Sequence, residues 1–191
     1  MGNSISRRRA AGIRQGQIRA KALPASTMHD APRFVADVML GRLAKWLRIA
    51  GFDVLYSNRY TDDELDRLSR VENRILLSRD TRLLVRRSVR NFIFLESETI
   101  EEQILQILGS TRTVQLPGLL SRCLKCNTPL VGATRESVRD QVPEFVFETQ
   151  RQFKSCPTCR KIYWAGTHRQ AVLQTLRRLA KGQSRVSPSE E

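Results

Sequence analysis

The sequence predicts an α/β protein with a parallel sheet, followed by a second, smaller, metal-organised unit. Strand-like and helix-like patterns alternate four times within about 75 residues, as a parallel sheet with crossover helices requires. That alternation breaks after Pro117. Beyond it come the chain's four cysteines, as two C-x-x-C pairs.

The elements follow in order from residue 33. Phe34-Val35-Ala36 is a short apolar run that reads as a strand ending at Asp37. Leu40, Leu43, Ala44, Leu47 and Ala50 recur on one helical face, and Gly51 is the expected stop. Val54-Leu55-Tyr56 reads as a second strand. Thr61-Asp62-Asp63-Glu64 is a capping box that opens a helix burying Leu65 and Leu68. Ile75-Leu76-Leu77 is a third strand, running into Ser78-Arg79-Asp80, with a short basic helix after it that turns Leu83 and Leu84 inward. Phe92-Ile93-Phe94-Leu95 is a fourth strand. Thr99 and Glu102 suggest another capping box, ahead of Ile104, Leu105 and Leu108, with Gly109 as stop. In the cysteine unit, Phe145-Val146-Phe147 and Ile162-Tyr163-Trp164 read as strands. Thr167 to Ala180 reads as a basic helix with Val172, Leu173, Leu176 and Leu179 on its apolar side. These patterns divide the chain into a basic disordered tail (1–32), the α/β domain (33–116), the cysteine unit with its C-terminal helix (117–181) and a polar tail (182–191).

The formal net charge is +14 and the isoelectric point near 10.7, which points to a polyanionic partner, most simply nucleic acid. The first 33 residues hold seven Lys or Arg against one Asp, so the excess is not confined to the tail. Charges interrupt every apolar run well short of the ~18 residues of a membrane span. No apolar secretory segment follows the basic start, so the expected setting is the cytoplasm, where paired cysteines suggest metal rather than disulfides.

Cys123-Leu124-Lys125-Cys126 and Cys156-Pro157-Thr158-Cys159 each turn two thiolates toward one point. Two such turns complete the four-sulfur site of a structural zinc, with no position left open for chemistry. A redox dithiol and an iron–sulfur cluster are the competing readings. Carboxylates supply the other candidate site. Asp37 directly follows the first strand, Asp80 directly follows the third, and Asp62 and Asp63 lie in the first turn of a helix. Sites in open α/β sheets form beyond the carboxyl ends of the strands, and carboxylates gathered there suit Mg²⁺ or Mn²⁺. Helix capping is the alternative for Asp62, Asp63 and Asp80. Arg42, Lys45 and Arg48 occupy the polar side of the first helix, either as contacts to substrate phosphates or as a solvated face. Neither His29 nor His168 has a Ser or Cys arranged beside it as a nucleophile.

The run RFVADVMLGRLAKWLRIAGFDVLY, then TDDELDRL, ILLSRDTRLL and EEQI, then SRCLKCNTPL, VPEFVFET, FKSCPTC and KIYWAGTH, closely resembles the Mut-seven C-terminal RNase family. Those proteins are PIN-like nuclease domains fused to a zinc ribbon. The resemblance spans about Arg33 to His168. It implies a three-layer α/β/α fold and a metal-dependent ribonuclease acting on RNA, with Asp37, Asp62 and Asp80 holding Mg or Mn and Asp63 as the neighbouring possibility. Many PIN-like nucleases have a fourth acid on a helix. No residue of the first helix supplies one here, unless Asp53 or Glu64 approaches. A non-catalytic RNA- or ribosome-binding protein and a PIN-type toxin are the alternatives.

Overall fold

The computed structural model describes residues 31–183 apart from 87, 114 and 165, and leaves the side chains of 167–169, 182 and 183 undescribed. The expected tails fall almost wholly outside the described residues, as do His29 and the side chain of His168. The strands of the α/β part are β1 (Arg33–Ala36), β2 (Asp53–Tyr56), β3 (Ile75–Ser78) and β4 (Phe92–Phe94). Its helices are α1 (Gly41–Ala50), α2 (Asp62–Val71), α3 (Thr81–Leu84) and α4 (Ile100–Ser110). All strand pairs are parallel, in the order β2-β1-β3-β4.

The pleat sorts the apolar strand residues onto two faces. Phe34, Ala36, Ile75 and Leu77 join α1 and α4 in one core, while Val35 and Leu76 meet Leu65, Leu68, Leu83 and Leu84 of α2 and α3 in the other. The sheet is thus the middle of three layers, and burial on both faces is why its strands read as unbroken apolar runs. The final helix α7 (Thr167–Gln183) belongs to the first core, where Leu176 and Leu179 are buried. The sequence grouped that helix with the cysteine unit, but it packs against α1 and α4.

The cysteine unit is a small antiparallel sheet of β5 (Val131–Ala133), β6 (Phe153–Ser155) and β7 (Ile162–Trp164), in that order. Between β5 and β6 are two short helices, α5 (Arg135–Val138) and α6 (Glu144–Thr149). The strand expected at Phe145-Val146-Phe147 is therefore helix. Pro143 and Glu144 suit a helix start, and Phe145 faces solvent at 73% exposure instead of alternating into a core. The Arg135 guanidinium covers the Phe147 ring, 4.1 Å from its centroid.

Two further local expectations change. The Thr61–Glu64 capping box forms in full, but Thr99 makes no side-chain cap, and Glu102 takes the Ser97 hydroxyl instead. The helix α4 runs past Gly109 to Ser110, and the turn is made by Arg112 in the left-handed region. Gly51 does end α1, at φ 99°. A side chain there would run into the backbone of Gly118, where the chain returns to α1 before the first cysteine pair. Among the described residues no helix is long and apolar enough to cross a membrane.

Candidate metal centre and carboxylate crevice

Strand order places one crevice. The chain leaves β1 through α1 to β2 on one side, then returns through α2 to β3 on the other, so β1 and β3 are neighbours whose connections diverge. Ligand sites of open α/β sheets form at such a switch point, beyond the carboxyl ends of the strands. Asp37 follows β1 there, and Ser78 ends β3 with Asp80 two residues on.

Asp37 is held rigidly. Its N–H donates to the Leu77 carbonyl at 3.0 Å, extending the ladder by one residue. Its Oδ1 accepts the Val38 N–H at 2.6 Å and caps a 3-10 turn over Val38–Leu40. Tyr56 donates its hydroxyl to the Val38 carbonyl, and Gly41 lies so close to the Tyr56 ring that any Cβ would collide with it. The second oxygen, Oδ2, accepts the Ser78 hydroxyl at 2.5 Å, and the Ser78 oxygen in turn accepts the Asp80 N–H at 2.9 Å. Asp37 is only 5% exposed, and this hydroxyl ties its carboxylate to the backbone N–H of Asp80. Burial pushes the Asp80 carboxyl up. The Arg82 N–H and guanidinium outweigh it and hold Asp80 below its ordinary value. Ser78 was not marked by the sequence reading, and neither was Arg79, the cation between Ser78 and Asp80.

Asp62 and Asp63, at the start of α2, are instead bound by one cation: Arg86 reaches Asp63 at 2.6 Å and Asp62 at 3.0 Å. Asp53 and Glu64 are not fourth acids. Glu64 is spent in the capping box. Asp53 opens β2, at the opposite edge of the sheet, where Arg74 (2.7 Å) and Asn127 (2.7 Å) engage it. Burial raises Asp53, but these hydrogen bonds bring it below the usual carboxylate range.

Arg42 and Lys45 are exposed on α1, as expected. Arg42, Arg79, Met39 and Glu98 line a groove of about 170 Å³ beside the crevice. Arg48 departs from expectation. It is 3% exposed, so it neither faces solvent nor reaches substrate. Its Nε and Nη2 donate to the Val54 carbonyl at 3.0 and 2.8 Å, and Nη1 to the Leu124 and Lys125 carbonyls at 2.9 and 3.2 Å. Burial lowers its pKa, but a guanidinium stays charged.

Leu124 and Lys125 are the two residues inside the first cysteine turn, so Arg48 ties that turn to the sheet. Asn127 completes the joint. Its Oδ1 accepts the Val54 N–H at 3.0 Å, so the N–H and carbonyl of edge strand β2 are both covered at Val54.

The two cysteine turns repeat one hydrogen-bond pattern. Cys123 N–H donates to the Thr128 carbonyl, and Cys156 N–H to that of Lys161. Asn127 and Arg160 donate back to Cys123 and Cys156, and both stand in the left-handed region. The four Sγ atoms all lie within 4.8 Å of one another, with Cys123–Cys159 at 3.5 Å and Cys126–Cys156 at 3.3 Å. Four sulfurs about 2.3 Å from one ion would stand about 3.8 Å apart, so the four thiols fit a tetrahedral zinc. They are too far apart for disulfides. Burial raises the Cys123 thiol, but the Tyr163 hydroxyl and the N–H groups of Cys126 and Lys125 bring it down to about 6. The Lys161 N–H lowers Cys159, yet burial and the other three cysteines drive it up to about 11. The last thiolate thus forms easily only beside a cation. Among the described residues, these four are the one group of three or more ligating side chains so gathered.

The family model described as the Mut7-C RNAse domain matches residues 32–176. No curated protein and no solved structure matches the chain.

Proposed function

We propose that this chain, which belongs to the Mut7-C RNAse domain family, is a metal-dependent ribonuclease that hydrolyses RNA phosphodiester bonds at the crevice between β1 and β3. The observation that carries this reading is the placement of Asp37 after β1 and of Asp80 just after the neighbouring β3 at the switch point of the sheet, with the Ser78 hydroxyl bridging the Asp37 carboxylate to the Asp80 N–H. Hard carboxylate and hydroxyl oxygens suit Mg²⁺ or Mn²⁺. Asp37 and Asp80 are the residues that would hold the ion; Asp62 or Asp63 would join them as a third donor only on leaving Arg86, which holds both. Such an ion lowers the pKa of water and stabilises charge on a phosphoryl group. Ser78 orients the Asp37 carboxylate and, through the Asp80 N–H, fixes the turn that carries Asp80. Arg42 and Lys45 would hold the RNA backbone, joined by Arg79 if it leaves Glu98, with which it pairs at 2.9 Å. The four cysteines would bind zinc as a structural ion remote from this chemistry.

The test is RNA cleavage by purified protein with Mn²⁺ or Mg²⁺, against Asp37→Asn and Ser78→Ala. Cleavage should fall on the order of a hundredfold or more in Asp37→Asn. Undiminished cleavage would remove the crevice from the mechanism. The engagement of Asp62 and Asp63 by Arg86 favours a second reading, an RNA binder without catalysis. Retained RNA affinity without any carboxylate-dependent Mn²⁺ binding would support it.

A further inference from the structure

The opposite edge of the sheet carries a polar pocket that the nuclease reading does not use. Its lining is Ser69, Arg70, Asn73, Ser88, Arg90 and Asn91, and its volume is about 340 Å³. Ser69, Arg70 and Asn73 come from the end of α2 and the turn into β3, and Ser88, Arg90 and Asn91 from the loop into β4. Because β3 and β4 are parallel neighbours, both loops enter the sheet at the same edge. The carboxylate crevice lies at the other end, about 13 Å away along the four residues of β3.

We propose that this pocket binds a phosphate group. The lining offers two guanidinium groups, and no carboxylate belongs to it. The loops are pinned to each other: Asn91 donates its amide to Asn73 Oδ1 at 3.1 Å, and the Leu76 N–H donates to the Asn91 carbonyl. Asn73 is held in the left-handed region at φ 49°. Ser69, 2% exposed, spends its hydroxyl on the Arg74 carbonyl, so it shapes the wall and offers no donor. The donors left are the Asn73 amide, the Ser88 hydroxyl and both guanidiniums. Arg90 has no partner among the described residues. Arg70 lies 3.3 Å through Nε from Asp66, a residue outside the lining. The carbonyls at the end of α2 would repel an anion, but the N–H groups of Glu72, Asn73 and Arg74 already occupy those of Leu68, Arg70 and Ser69. Several donors on different walls match a tetrahedral anion better than a planar one. The volume leaves room for an attached ribose. The phosphate is either a backbone group of RNA a few nucleotides from the crevice, which rests on the nuclease reading, or that of a free nucleotide.

The experiment uses the full chain carrying Asp37→Asn, so that RNA survives. Titration with inorganic phosphate should shift the side-chain amide NMR signals of Asn73 and Asn91. The pair Arg70→Gln/Arg90→Ala should weaken that binding about tenfold or more, with unchanged circular dichroism. Ser88→Asp, which leaves both arginines in place, should abolish it. A single-stranded oligoribonucleotide separates the sources. If the phosphate belongs to RNA, the arginine pair lowers the salt dependence of binding by about one phosphate contact. If it belongs to a free nucleotide, the slope holds and only mononucleotide binding is lost. Amide signals that stay still under phosphate, with no effect of either variant, would overturn the proposal. Signals that shift in a protein whose wild type never cleaves RNA would leave the pocket standing and the nuclease reading fallen.

Discussion

At the cysteine cluster, four ligating atoms from two distant turns stand within 4.8 Å of one another. Arg48, Asn127 and Tyr163 brace the turns from outside. At the carboxylate crevice, Asp37 and Asp80 are joined through Ser78, while Asp62 and Asp63 are held by Arg86. The first region is closed on itself, as a structural ion requires. The second leaves its acids open at the carboxyl ends of the strands with cations around them, as the proposed reaction on a polyanion would require. The difference separates residues whose loss should cost folding from residues whose loss should cost activity.

The largest effect falls on the closed region. Cys123→Ser, or chelation, should remove about one zinc per chain and unfold the cysteine unit, since such sites contribute roughly 10 kcal/mol or more. Metal analysis and hydrogen exchange would measure it. Because Asn127 and Arg48 cover Val54, exchange at the β2 edge should rise as well. An unchanged β2 would mean that the two parts are not mechanically joined.

Arg48→Met comes next. It leaves the carbonyls of Val54, Leu124 and Lys125 without that donor, so stability should drop by about 3 kcal/mol, read from denaturant unfolding. Arg42→Ala and Lys45→Ala should leave stability within about 0.5 kcal/mol and weaken RNA binding in a salt-dependent way. If Arg48→Met instead weakened RNA binding at unchanged stability, its assignment to the joint would be wrong.

The smallest effect is on acid sensitivity. Asp53 has a lowered folded pKa, so its contribution is fully present above its unfolded value near 3.9 and fades as pH falls through the lower folded value. Asp53→Asn should flatten the stability profile below about pH 4. A profile identical to wild type there would contradict the Arg74–Asp53–Asn127 contact.

What the sequence made legible was local. The Thr61–Glu64 box, the Gly51 stop and the strand ending at Asp37 are each set by a few adjacent residues, and all stand as read. The cysteine spacing is local too, and the pairs meet. Arg48 was misread because a helical pattern shows only that a residue is polar. Its acceptors lie 76 and 77 residues away in sequence. Ser78 escaped notice for a related reason. A serine ending a strand carries no signal until β1 is known to lie beside β3. Phe145-Val146-Phe147 reads as a strand because a short apolar run fits a strand and one turn of helix equally well.

The most direct measurement is cleavage of a single-stranded RNA by the double variant Asp37→Asn/Asp80→Asn, scored beside its zinc content and thermal unfolding. The crevice reading predicts zinc and folding like wild type, with cleavage reduced by about a hundredfold or more. Cleavage at the wild-type rate, in a protein that still holds its zinc, would contradict it.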